Sequence, residues 1–118
     1  WGDRRIFCAG ALARDYTRMG GTSLYFGKPH APIYDLARAR LHAVAGQEVA
    51  HSRILAIGDG IGTDVLGAAR QGLACLFVTG GLEAGAFGAD PERPDATLLS
   101  RWLAGHDLQP AFATARLR

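Results

Sequence analysis

Apolar and polar positions alternate along this chain in two rhythms, one helical and one of short continuous apolar runs. Over 8–21, "CAGALARDYTRMGG", residues Leu12, Tyr16 and Met19 recur at helical spacing and a glycine pair follows, which predicts a helix with a glycine stop. "TSLYFG", 22–27, is rich in β-forming residues and ends on Gly27, predicting a short strand that feeds a tight turn. "KPHAPIYDLARARLHAVAG", 28–46, sets Ile33, Leu36, Ala37, Leu41 and Val44 on one face, with Pro32 in the first turn and Gly46 past the end. This is the clearest amphipathic helix.

"RILAIGD", 53–59, is an apolar run between Arg53 and Gly58, the pattern of a strand buried on both faces of a parallel sheet. "TDVLGAARQG" returns to helical spacing and closes on Gly72, and "LACLFVTGG" is a second apolar strand. "GLEAGAFGADPERPD" predicts a short helical turn and then loop; a helix around 98–103 and a short strand at 111–114 complete the chain. Strands and helices therefore alternate, which argues for a parallel, doubly wound α/β sheet, because each crossover between parallel strands is a helix packed back on the sheet.

Composition narrows the function more by exclusion than by pointing. With 118 residues, 48% hydrophobic and 20% charged, the chain has the size and mix of one globular domain. Thirteen basic residues against eleven acidic ones leave +2, without a basic stripe or interleaved stacking aromatics, so nucleic acid is not implied. No apolar run approaches the ~20 residues that span a bilayer, and no membrane partner is expected. Cys8 and Cys75 lack metal or redox spacing and read as small buried residues; with no signal peptide in view, they point to the cytoplasm. The chain opens on Trp1 rather than methionine, and the expectation is a piece of something longer.

Chemistry concentrates in "ILAIGDGIGTDVLGAARQG", 54–72. Ligands of open α/β sheets bind beyond the carboxyl ends of strands, where Asp59 falls. Gly58, Gly60 and Gly62 allow a sharp turn and close approach to a ligand, and Thr63 is placed to cap the helix that Asp64 enters. The turn lets both carboxylates face one small volume, an arrangement that repulsion disfavours without a cation; hard oxygen ligands with room for water suit Mg²⁺. Taken singly, Asp59 is also an ordinary turn former and Asp64 an ordinary helix-start acid. Thr63 stands where G-x-G-x-x-G needs its last glycine, so the dinucleotide fingerprint fails. Upstream, "FGKPHAPIYDLA" puts Lys28 at the end of the predicted 22–27 strand, where a lysine stiffened by proline can hold a phosphoryl oxygen. Adjacent strand ends would bring Lys28 and the two acids together.

"GKP" with Lys28 and "GDGIGTD" with Asp59 and Asp64 resemble the third and fourth motifs of the haloacid dehalogenase (HAD) superfamily. The longer strings "CAGALARDY", "GGTSLYFGKPHAPIYDLA" and "ILAIGDGIGTDVLGAARQGLACLFVTGGL" look like its subclass IIA, the NagD-like phosphatases with a large cap domain. The resemblance implies a Rossmann-like parallel sheet with helices on both faces, here partial: residues 1–118 form the C-terminal part of a HAD-like core, and 1–22 the return from a cap. It implies Mg²⁺ held by Asp59 and Asp64, and a Lys28 that stabilises the nucleophile and the phosphoryl group of a small phosphorylated substrate. The departure is as informative. No Asp-x-Asp nucleophile motif occurs in the chain, and no upstream strand supplies the phosphate-binding hydroxyl, so the chain alone is expected to be inactive.

Other residues carry weaker expectations. His42, His51 and His106 lack metal-site spacing, whereas His30, beside Lys28, is a candidate substrate contact. Tyr34, Phe77, Trp102 and Phe112 read as packing residues, Asp90, Glu92 and Asp95 as solvated loop, and "TGG", 79–81, as either a plain turn or a contact at the functional edge. Two rival readings belong to other classes. A non-catalytic binding or assembly module of the same fold has no need of the lysine and acid trio. A receiver-like domain carries its acids before its lysine, the reverse of the order here. An apolar sheet edge left open would favour a homo-oligomer.

Overall fold

The computed structural model describes residues 7–118. Helix α1 (Ala9–Arg18) and helix α2 (Ala31–Ala45) precede a sheet of three strands, β1 (Leu55–Gly58), β2 (Ala74–Val78) and β3 (Phe112–Thr114). Helix α3 (Leu66–Arg70) links β1 to β2, and helix α4 (Ala96–Gly105) lies between β2 and β3. The strands run parallel in the order β1-β2-β3, as the alternation of elements predicts. Local chemistry sets the boundaries. Pro32 sits in the first turn of α2, and Gly46 ends that helix at φ 68°, its N–H donating to the His42 carbonyl. Gly72, at φ 64°, makes the same left-handed exit after α3.

The core lies on one face of the sheet. Register places Ala56 opposite Cys75, and Phe77 opposite Gly58 and Ala113, so these side chains share a face. Val65 and Ala68 cover it, and from α4 Trp102 stacks on Phe77 at a centroid separation of 6.0 Å while Phe87 meets both rings edge-on. Such mixed stacked and edge geometry is favourable beyond the area it buries. Asp95, exposed as expected, also starts α4 by accepting the N–H groups of Thr97 and Leu98. Glu92, from the same loop, pairs with Arg116.

Several apolar residues expected inside are outside. On the second sheet face Leu55, Ile57 and Phe112 are 44%, 49% and 59% exposed, so β1 is not buried on both sides and Phe112 does not pack as expected. No described element seals this face. On α2 the half-buried residues are Tyr34, Arg38 and Leu41, while Ile33, Leu36 and Val44 of the apolar stripe point outward. Cys8 is likewise exposed, whereas Cys75 is buried as expected. Residues 22–27 form no strand: Leu24 and Phe26 are exposed and no strand among the described residues supplies ladder hydrogen bonds, without which β propensity does not hold an extended segment in a sheet.

Candidate active site

The parallel register brings the ends of β1 and β2 side by side, Gly58 against Phe77, so the turns that leave the two strands are neighbours. Asp59 lies in the first turn. Its Oδ2 accepts a hydrogen bond of 3.0 Å from the N–H of Leu82, beyond β2. Gly81 makes that approach possible, since a Cβ there would collide with the Asp59 carboxylate. The "TGG" turn is thus a support for Asp59, and a glycine pair directly after a strand end was its only signal in the sequence.

Asp64 is buried within a wide helical turn, Ile61–Val65, that runs into α3. Its Oδ2 accepts the Gly60 N–H at 3.1 Å, and its Oδ1 accepts from the Lys28 ammonium at 2.5 Å. Gly58 leaves room for this carboxylate: an added Cβ would strike its side chain. The turn is capped by the Asp64 side chain on Gly60 and not by Thr63, whose hydroxyl lies 3.5 Å from both the Gly60 carbonyl and Asp64 Oδ2.

Lys28 reaches the acids without a strand behind it. Residues 27–30 turn through a hydrogen bond from the His30 N–H to the Gly27 carbonyl, with a cis Lys28–Pro29 peptide, and enter α2. Its hydrogen bond to the Asp64 carboxylate raises the Lys28 ammonium above its ordinary value; partial burial opposes this, and charge on Asp64, Tyr34 and Asp59 adds to it. Lys28 is therefore a full cation at neutral pH. Burial pushes up the Tyr34 phenol and the Cys75 thiol, with the Asp64 charge adding in both, so neither is a ready nucleophile.

Of the four residues singled out, Lys28 and Asp64 are in contact and Asp59 stands in the adjoining turn. His30 makes no hydrogen bond with the acids; its ring stacks on Tyr25 at a centroid distance of 4.9 Å. Among the described residues no three His, Cys, Asp or Glu side chains gather around one point, so any metal here would find two carboxylates at most from this region. No helix among the described residues is long and apolar enough to cross a membrane.

A parallel α/β sheet with a lysine and two acids gathered beyond the end of β1 places charge on the edge where open α/β sheets bind ligands. The HAD-hydrolase-like family model matches residues 25–101, and the chain belongs to that family. A haloacid dehalogenase-like hydrolase from Brucella suis is 41% identical with a TM-score of 0.71, over 99% of this chain and 40% of its own. A possible sugar phosphatase of the HAD superfamily from Cytophaga hutchinsonii shares the fold at 21% identity and a TM-score of 0.63, over 92% of this chain and 34% of its own. The chain therefore spans well under half the length of either structure. No curated protein matches it.

Proposed function

We propose that this chain is the C-terminal part of a magnesium-dependent phosphatase of the NagD-like kind, acting on a small phosphorylated metabolite. The observation that carries the reading is the Lys28 ammonium paired with buried Asp64 in the turn beside Asp59. A scaffold gains little from a cation held half-exposed on a buried acid at a strand end. A phosphoryl group gains a fixed positive charge.

In this reading a carboxylate outside the chain attacks phosphorus, the ester oxygen departs with the leaving group, and water then hydrolyses the aspartyl-phosphate to inorganic phosphate. Lys28 supplies positive charge to the nucleophile and to the phosphoryl oxygens, and Asp64 keeps its ammonium aimed and protonated. Mg²⁺ fits the donor set. Asp59 has one oxygen tied to the Leu82 N–H, and its Oδ1 accepts no hydrogen bond among the described residues, leaving a hard ligand oriented by the backbone. Asp64 completes the acidic corner and orients Lys28. When bound, the ion supplies neutralisation of the charge on the transferring group. The remaining ligands, the nucleophile and the phosphate-binding hydroxyl come from outside this chain, and the chain alone has no turnover.

Phosphate release by the full-length protein from small phosphate monoesters tests the reading. Turnover is expected with Mg²⁺ and ceases with excess chelator; turnover indifferent to chelation and unchanged by Lys28→Ala overturns it.

A further inference from the structure

Lys28 also belongs to a second feature. A groove of about 460 Å³ runs from Lys28 between α1 and residues 24–30, floored by Ala9, Gly10 and Ala13. On its other side are Tyr25 and His30, with rings stacked at an interplanar angle of 25°. Tyr25 is 39% exposed, and both residues of the pair line the groove. The described residues that line the groove include no Asp, Glu, Asn, Gln or Arg.

We infer that this groove receives the leaving group of the phosphate ester and that it selects a planar aromatic one, the inference resting on the phosphatase reading above. A phosphoryl group held at Lys28 projects its ester oxygen toward whatever lies next to that residue, and what lies next is an aromatic pair above a floor of alanine and glycine. Aromatic rings recognise a flat π system by offset stacking and by the apolar area it removes from water. A polyol leaving group needs several hydrogen-bond partners in place of its lost water, and among the described side chains that line the groove the polar ones are the imidazole, the phenol and Lys28 itself. His30 thus contributes through the Tyr25 stack, and the glycines and alanines of α1 and Gly27 leave the width for a ring.

The test compares phenyl phosphate with glycerol phosphate on the full-length protein, as wild type, Tyr25→Ala and Tyr25→Phe, by equilibrium binding and by turnover. The wild type is expected to bind phenyl phosphate about tenfold more tightly than glycerol phosphate. Tyr25→Ala should abolish that preference by raising KM for the aryl ester more than for glycerol phosphate, and Tyr25→Phe should retain it. Equal binding of the two esters by the wild type, or a preference that survives Tyr25→Ala, overturns the groove even where turnover is robust. Selective binding of phenyl phosphate through Tyr25 with no turnover of any ester upholds the groove and removes the phosphatase reading instead.

Discussion

Replacing Lys28 by methionine keeps an aliphatic stem of similar length and strips the ammonium from Asp64. That carboxylate, only 10% exposed, is then left with the Gly60 N–H at 3.1 Å and a long contact to Thr63 at 3.5 Å. An exposed ion pair contributes ~0–1 kcal/mol, whereas removing one partner of a fully buried pair costs about 3–5 kcal/mol. Lys28 is 52% exposed, so water screens it and partly solvates the acid once the ammonium is gone. The loss should fall at about 1–2 kcal/mol, between the two limits. Amide hydrogen exchange of peptides covering residues 58–70 in the full-length protein reads this locally, and roughly 5–30-fold faster exchange is expected. Adding Asp64→Asn should bring exchange back toward wild type, because the amide still accepts from Gly60 but leaves no unpaired charge. Exchange within about twofold of wild type would refute the reasoning, as would a double variant opening faster than Lys28→Met alone.

Other perturbations probe separate parts of the structure. Because the folded-state Lys28 is raised above 10.5, the stability it contributes is complete below that value and lost as pH climbs through the raised one; the melting difference between wild type and Lys28→Met should hold from neutral pH to about pH 9 and narrow beyond 10.5. Gly81→Ala should displace Asp59 from the Leu82 N–H and cut turnover at least about tenfold while leaving binding of phenyl phosphate at the groove intact, which paired kinetic and binding assays check. Asp95→Ala removes the cap of α4 and should cost about 1 kcal/mol in denaturant unfolding. Phe77→Ala, at a fully buried site between Trp102 and Phe87, should cost about 3–5 kcal/mol in the same assay.

What could be read from the sequence divides along physical lines. The helices and the three paired strands follow from short-range period and from glycine and proline punctuation, and they stand where those signals put them. The 22–27 segment shows the limit: it has the composition of a strand, but a strand exists only through a partner, and partners are not written in local composition. Burial failed for a related reason. The apolar stripe of Ile33, Leu36 and Val44 and the sheet face of Leu55 and Ile57 are sound signals that something packs there, yet nothing among the described residues covers them. At the site, the crowding of Asp59 and Asp64 on a glycine turn was legible because glycine spacing and charge are local. The Leu82 N–H on Asp59 and the approach of Lys28 across 36 positions to Asp64 depend on sheet register and on α2 packing beside α3, where Tyr34 lies so close to Gly67 that a Cβ there would strike it.

One titration bears most directly on whether the corner of Lys28, Asp59 and Asp64 serves phosphoryl transfer. Turnover of the full-length protein is measured against Mg²⁺ concentration for wild type, Asp59→Asn and Lys28→Ala. Asp59→Asn should shift the Mg²⁺ dependence to far higher concentration or abolish turnover, and Lys28→Ala should lower kcat at saturating Mg²⁺. Wild-type Mg²⁺ dependence and wild-type kcat in both variants would contradict it.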